Sequence, residues 1–166
     1  MMPVFLQGID NAGIMPELWV EPGRFLVADS TVLLTRVNSV KQAAKMFVNV
    51  DAGFNLLVRP AMYDAYHEVV AANCAGEPAS ALVTVAGPIC ESGDILATDR
   101  NLPPVRAEDL IAVLDAGAYG FAMSSQYNSR ARCAEAIVDG PHASLMRRAE
   151  TLDDLVSTVV TPPWLL

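Results

Sequence analysis

Apolar and polar positions alternate along much of the chain, and the pattern predicts strands more often than helices. Thr31 to Val40 (TVLLTRVNSV) is rich in β-branched residues, and Met46 to Val50 is a second apolar run closed by the turn signal Asp51-Ala52-Gly53. Further strands are predicted over Asn55 to Arg59, Tyr63 to Val70, Ala81 to Ala86, Asp94 to Thr98, Gly120 to Ser124 and Ala134 to Val138, with glycine or proline in most of the gaps. Many short strands at such spacing suit an antiparallel sandwich or barrel. Two segments carry helical spacing. Arg106 to Leu114 sets Leu110, Ile111 and Leu114 on one helix face, although a buried strand over Asp109 to Leu114 fits the same residues. Thr151 to Thr158 is predicted as a helix: Thr151 can cap it, Asp153 and Asp154 lie in the first turn where the helix dipole favours carboxylates, and Leu152, Leu155 and Val156 share a face. Pro162-Pro163 ends it, and the apolar tail Trp164-Leu165-Leu166 needs a groove to hide in. At the other end, Leu18 to Val20 stops at Glu21-Pro22-Gly23-Arg24 and reads as a strand end.

Composition narrows this picture. At 166 residues the chain fits one domain with some added structure, and 52% hydrophobic against 18% charged residues argues for a globular protein with apolar surface left over for a partner. Eleven Lys and Arg against nineteen Asp and Glu leave a net charge of −8, which disfavours a groove tracking nucleic-acid phosphates and disfavours anionic membranes. No apolar run reaches the roughly 18 residues of a membrane span, and no basic residue precedes Arg24, so the location read from the sequence is cytoplasmic. Cys74, Cys90 and Cys133 show no CxxC or His-Cys spacing, so neither a disulfide framework nor a metal site is indicated; His67 and His142 default to structural roles.

Several short constellations carry chemical groups. Glu21-Pro22-Gly23-Arg24 combines a backbone free of a side chain with a planar guanidinium suited to phosphate or carboxylate, and taken alone it reads more simply as a turn with a surface arginine. Arg59-Pro60-Ala61-Met62-Tyr63 offers a second guanidinium and a phenol, or else a strand end with a snorkelling arginine. Cys90-Glu91-Ser92-Gly93-Asp94 delivers a thiol and a carboxylate on a glycine turn after Gly87-Pro88, a setting that suits a proton donor better than a nucleophile, with an inert structural cysteine as the equal alternative. Asp115-Ala116-Gly117-Ala118-Tyr119-Gly120 sets a tyrosine among small residues, where it can face a ligand or simply pack.

Taken together and in order, VEPGR (20–24), VDAGFNLLVRPAMYDAYH (50–67), GPICESGD (87–94), DAGAYG (115–120) and YNSR (127–130) closely resemble the meso-diaminopimelate decarboxylase family, pyridoxal-phosphate enzymes with an alanine-racemase-like fold. The resemblance runs from about Leu18 to Leu155 and covers only the carboxyl-terminal part of such an enzyme. It implies a mainly β fold, a Greek-key β-barrel or sandwich with a few short helices (residues 30–166), preceded by the last strand-turn remnant of a (β/α)8 barrel (residues 1–29).

By position, the resemblance assigns Glu21, Pro22, Gly23 and Arg24 to the cofactor's phosphate side, with Arg24 also a substrate-carboxylate ligand. Arg59 and Tyr63 match residues that hold the substrate's distal end, and Glu91 matches the acid that receives its distal ammonium. Tyr119 matches a tyrosine that contacts cofactor and substrate. Cys90 matches the thiol that returns a proton after carbon dioxide leaves, reaching across a homodimer interface to the neighbouring subunit's cofactor. Asp94 is read as orienting the turn. Related ornithine-type decarboxylases usually carry an aspartate after the cysteine and lack the RPAMY arginine, so Arg59 with Glu91 points to diaminopimelate as substrate and lysine as product. The family binds pyridoxal phosphate as a Schiff base on a barrel lysine, and the only lysines here, Lys41 and Lys45, lie outside every matching motif. The expectation is a fragment inactive alone. A non-catalytic subunit or regulator that dimerises with a complete decarboxylase, and part of an ornithine- or arginine-type enzyme, stay open as alternatives.

Overall fold

Where β-branched residues alternate most strongly, the chain is extended and buries one face. A computed structural model describes residues 7–9, 11–13, 17 and 19–165. β1 (Leu33–Gln42) buries Thr35 and Val37, and β2 (Met46–Val50) pairs antiparallel with it and buries Val48 and Val50. β3 (Val69–Ala71), β4 (Ala81–Ala86), β5 (Ile95–Leu102) and β6 (Leu110–Val113) complete a six-stranded sheet in the order β3-β6-β1-β2-β4-β5. The sheet curls until its edge strands, β3 and β5, approach one another, giving a nearly closed, barrel-like layer around Val37, Val48, Leu57, Val85, Leu96, Leu102, Ile111 and Val113. Burial of such side chains is worth about 1.5–3 kcal/mol each, whereas the ion pairs are mostly exposed and worth about 0–1 kcal/mol. Packing therefore holds the sheet.

β2 and β4 run parallel, which departs from the expected all-antiparallel pattern. A parallel pair cannot be closed by a tight hairpin and needs a long crossover. Residues 51–80 form that crossover, and they carry the short helix α1 (Arg59–Tyr63) and β3. Two segments read as strands, Asn55 to Arg59 and most of Tyr63 to Val70, are therefore turn, helix and loop, with extended pairing only at Val69–Ala71. Gly120 to Ser124 is also not a strand but a 3-10 turn, Phe121–Met123. The ambiguous segment 106–114 resolves as a strand, because β6 fills the gap between β3 and β1.

β7 (Glu135–Asp139) and β8 (His142–Arg147) form a separate, exposed hairpin, and β8 has no counterpart in the sequence-based expectation. α2 (Leu152–Val156) lies inside the predicted helix and opens with a reciprocal cap between Thr151 and Asp154. Trp19 and Val20 are not in a strand, since an extended segment needs a ladder partner and has none among the described residues; Leu18 lies outside them. Trp164 and Leu165 are exposed, not sheltered in a groove, and Leu166 is outside the described residues. No described helix is long and apolar enough to cross a membrane.

Glu150 ties the hairpin's base to the body of the chain. Its carboxylate accepts from Arg132 Nε at 2.8 Å, Arg132 N at 2.9 Å and Gln126 Nε2 at 3.1 Å. These bonds, Arg132's first, lower its pKa from 4.5 to about 2. A depressed carboxyl pKa contributes stability that is complete above the unfolded value and is lost as pH falls through the folded one. We expect amide exchange across Glu135–Arg147, taken relative to the intrinsic rate of free amides at each pH, to accelerate between pH 4.5 and about 2. The acceleration should be smaller in Glu150→Gln, and equal acid sensitivity in both proteins would contradict this role.

Candidate active site

The crossover begins by locking its own exit from the sheet. Asp51 Oδ1 accepts from Thr35 Oγ1 at 2.6 Å and from Arg36 N at 2.9 Å, and Ala52 N donates to Thr35 Oγ1 at 2.9 Å. The chain then turns through Phe54–Leu56 into α1. Pro60 sits in the first turn of that helix, where its missing N–H costs no hydrogen bond. Asp64 ends α1 in the left-handed region at φ 51°, a conformation that aspartate tolerates.

α1 sets Arg59 inward and leaves Tyr63 exposed at its far end. Arg59 Nη1 lies 3.3 Å from His67 Nε2, and its guanidinium carbon stands 5.8 Å from the centre of the Tyr119 ring. Tyr119 is itself left-handed at φ 61° and half exposed. The segment before it is pinned to the chain that follows Arg24: Ala116 N donates to Thr31 O at 2.9 Å and Gly117 N to Ala28 O at 3.0 Å. A Cβ on Gly117 would overlap Val27 O, so only glycine permits this approach. Gly23–Leu26 is a 3-10 turn in which Glu21, Pro22, Gly23 and Arg24 are all exposed, and a Cβ at Gly23 would meet nothing within 4 Å. The structure thus joins Arg59 to Tyr119 directly and sets the chain just after the Arg24 turn, Val27–Thr31, against the Tyr119 loop.

The thiol and its carboxylate form a second group. Asp94, 3% exposed, accepts from Phe54 N and Ile89 N at 2.6 Å each, so one carboxylate fastens the Cys90 turn to the start of the crossover. A Cβ at Gly87 would collide with that carboxylate. Gly93 faces Ala61 of α1. Cys90 is exposed on the turn, while burial pushes the thiols of Cys74 and Cys133 upward. Glu91 accepts from Tyr127 Oη at 3.3 Å, and the Tyr127 ring packs on Phe54 with centroids 5.2 Å apart. Among the described residues, no hydrogen bond or ion pair links Cys90 or Glu91 to Arg24, Arg59, Tyr63 or Tyr119.

Some cations of the chain are neutralised and others are not. Arg36, Lys45, Arg106, Arg132, Arg147 and Arg148 each hold a carboxylate, whereas Arg24, Arg59, Arg100, Arg130 and Lys41 have none among the described residues. Cations left unneutralised in a chain of net charge −8 are available to an anionic ligand. A cleft of about 480 Å³ lies near α1, lined by Pro60, Ala61, Tyr66, Gly93, Thr98 and Arg100, and none of the chemical groups above lines it. No cluster of three or more metal-ligating side chains occurs among the described residues. Sequence reading did not find the partners of Glu91 and Arg59. YNSR was legible only as a motif, and His67 gave no signal of its contact with Arg59.

Comparison with known proteins identifies the family of the fold. Residues 25–117 match the family described as pyridoxal-dependent decarboxylase, C-terminal sheet domain. The chain is 58% identical over 151 residues to a diaminopimelate decarboxylase of Archaeoglobus fulgidus, covering 91% of this chain and 36% of that protein. It superposes on the crystal structure of diaminopimelate decarboxylase from M. jannaschii with a TM-score of 0.83 at 39% identity, covering 92% of this chain and 35% of that one. For the same enzyme in co-complex with L-lysine the TM-score is 0.83 at 36% identity, with 97% and 37% covered. The chain spans about a third of the length of the relatives it matches.

Proposed function

The chain belongs to the pyridoxal-dependent decarboxylases, as their C-terminal sheet domain, and on that footing we propose that it supplies the substrate-holding and proton-donating groups of an enzyme that converts meso-diaminopimelate to L-lysine and carbon dioxide. The observation that carries this reading is the presence of both signs at separate fixed points: among the described residues Arg59 has no carboxylate partner and Glu91 no cationic one. A substrate whose far end is itself an amino acid needs a guanidinium for its carboxylate and a carboxylate for its ammonium. A plain diamine precursor needs only the second.

In this reading Arg59 and Tyr63 hold the distal carboxylate, Glu91 takes the distal ammonium, and Arg24 takes the carboxylate nearer the reacting carbon. Cys90 keeps its proton until carbon dioxide has left and then delivers it from Sγ to that carbon. The open space at Gly23, the turn amides beside it, Arg24 and the half-exposed Tyr119 ring fit the phosphate edge and flank of pyridoxal phosphate. When bound, that cofactor supplies the electron sink for breaking the carbon–carbon bond. No lysine here fits its covalent anchor: Lys45 Nζ is engaged by Asp99 at 2.9 Å, and Lys41 is exposed on β1. We therefore assign the anchor to residues other than these 166, with a domain boundary near residues 29–30. The purified 166-residue chain mixed with pyridoxal phosphate should show no visible absorption band of lysine-bound cofactor, and a band abolished by mutating Lys41 or Lys45 would overturn that assignment.

Among the described residues no hydrogen bond or ion pair joins the two groups of site residues within one chain, which supports a homodimer in which Cys90 and Glu91 complete the neighbouring subunit's site. Exposed apolar residues such as Phe25, Leu26 and Leu34 fit a chain that works with a partner. Three free cysteines suit a reducing, cytoplasmic setting. In the complete enzyme, Arg59→Ala should raise KM for diaminopimelate by roughly 10- to 100-fold with a smaller change in kcat, because it removes a charged contact made in both ground and transition states. An unchanged KM would remove Arg59 from the site.

A further inference from the structure

His67 is fully buried and makes two contacts that together determine where its proton sits. Nδ1 lies 2.8 Å from Leu114 O, and Nε2 lies 3.3 Å from Arg59 Nη1. A carbonyl oxygen can only accept, so Nδ1 must carry the hydrogen; a guanidinium can only donate, so Nε2 must offer its lone pair. The two neighbours therefore select one form of the ring, neutral and protonated on Nδ1. A ring protonated on Nε2 would set two donors face to face beside a cation.

The backbone holds this arrangement in place. Glu68, the next residue, accepts from Leu114 N at 2.8 Å, extending the β3–β6 ladder by one step, and Arg100 Nη2 donates to His67 O at 3.4 Å. The imidazole thus spans from the end of β6 to the first residue of α1. Its single lone pair occupies one of the five N–H groups of Arg59 and leaves the others unclaimed. Without it, the Tyr119 ring at 5.8 Å is the one remaining polar or cation–π contact of that guanidinium among the described residues. The alternatives for a buried histidine fit less well: among the described residues no metal-binding cluster includes it, and its burial keeps it from meeting substrate.

We propose that His67 is a positioning residue for Arg59, acting as a neutral acceptor that fixes the plane of the guanidinium so that its remaining N–H groups face a carboxylate ligand. This rests on the reading of Arg59 as the clamp for the substrate's distal carboxylate, and it sets how well the enzyme distinguishes diamino acids with a second carboxylate from those without one.

The test uses the complete, pyridoxal-phosphate-loaded enzyme carrying His67→Phe, His67→Gln or Arg59→Ala. His67→Phe keeps a ring of similar size and removes the acceptor, so KM for diaminopimelate and the inhibition constant of L-lysine should each rise roughly tenfold, with kcat within about threefold. Inhibition by pentane-1,5-diamine, which has no carboxylate, should not change. Glutamine presents an amide oxygen in place of Nε2 and should recover most of the loss. Independently of any variant, ¹⁵N spectra of the wild-type holoenzyme at neutral pH should show His67 neutral and protonated on Nδ1. A ring protonated on Nε2 or on both nitrogens overturns the inference, as does His67→Gln being as impaired as His67→Phe. Wild-type constants in His67→Phe beside impaired ones in Arg59→Ala overturn the positioning role and leave the clamp standing. Wild-type constants in Arg59→Ala overturn the clamp itself, and the inference with it.

Discussion

Replacing Cys90 by alanine in the complete enzyme is expected to lower kcat by roughly 10²- to 10⁴-fold while KM moves only a few-fold. The thiol is exposed on a turn that Asp94 holds from behind, so removing its sulfur deletes a proton donor without disturbing the groups that bind substrate. An equal loss in binding would place Cys90 among the holding groups instead. The same variant tests the subunit arrangement. Mixing equal amounts of Cys90→Ala and Arg59→Ala subunits under exchanging conditions makes about half the dimers mixed, each with one intact site, so with substrate held well below the raised KM of Arg59→Ala, where the parent dimers are nearly silent, about a quarter of wild-type activity should return. If Cys90 and Arg59 serve the same subunit's site, no activity returns.

The second large effect falls on stability. Asp94 is almost fully buried, and its carboxylate is the acceptor for the amides of Phe54 and Ile89. Asp94→Ala strands both donors in the interior, and at about 1.5–3 kcal/mol for each bond to a charged group the expected cost is about 3–6 kcal/mol. That is a large share of a typical domain's stability. Asp94→Asn keeps one acceptor oxygen and should cost less. Urea unfolding of the three proteins checks this. A loss below about 1 kcal/mol in Asp94→Ala would show that the turn is held by other means. The effect also reaches the chemistry, since Cys90 and Glu91 stand on the turn that Asp94 anchors.

Asp94's orienting role was read beside the family resemblance, while its burial and its two amide partners became visible only in the structure. Strands β2 and β4 were legible to the residue because each is a compact β-branched run between turn signals. α1 was not, since five residues are too few to display a helical period and Pro60 reads as a turn. β8 escaped for a different reason: all its residues are exposed, so no alternation of burial marks it. The chemical groups of the site could be named from short motifs and a family resemblance. Their partners could not, because contacts such as Glu91 to Tyr127, Asp94 to Phe54 and His67 to Leu114 join residues 36, 40 and 47 positions apart. Such spacing is set by the closing of the sheet and leaves no local pattern.

The parallel pairing of β2 with β4 has a consequence for how the chain is made. As the polypeptide leaves the ribosome, the β1–β2 hairpin emerges early, but both its outer edges wait for later arrivals: β2 for Ala81–Ala86 and β1 for Leu110–Val113. β2's edge stays open until Ala86 is made and β1's until Val113, which at about 5–20 residues per second leaves an apolar strand edge open to other nascent chains for several seconds. Faster translation of residues 51–113 therefore shortens the time for which those edges are exposed.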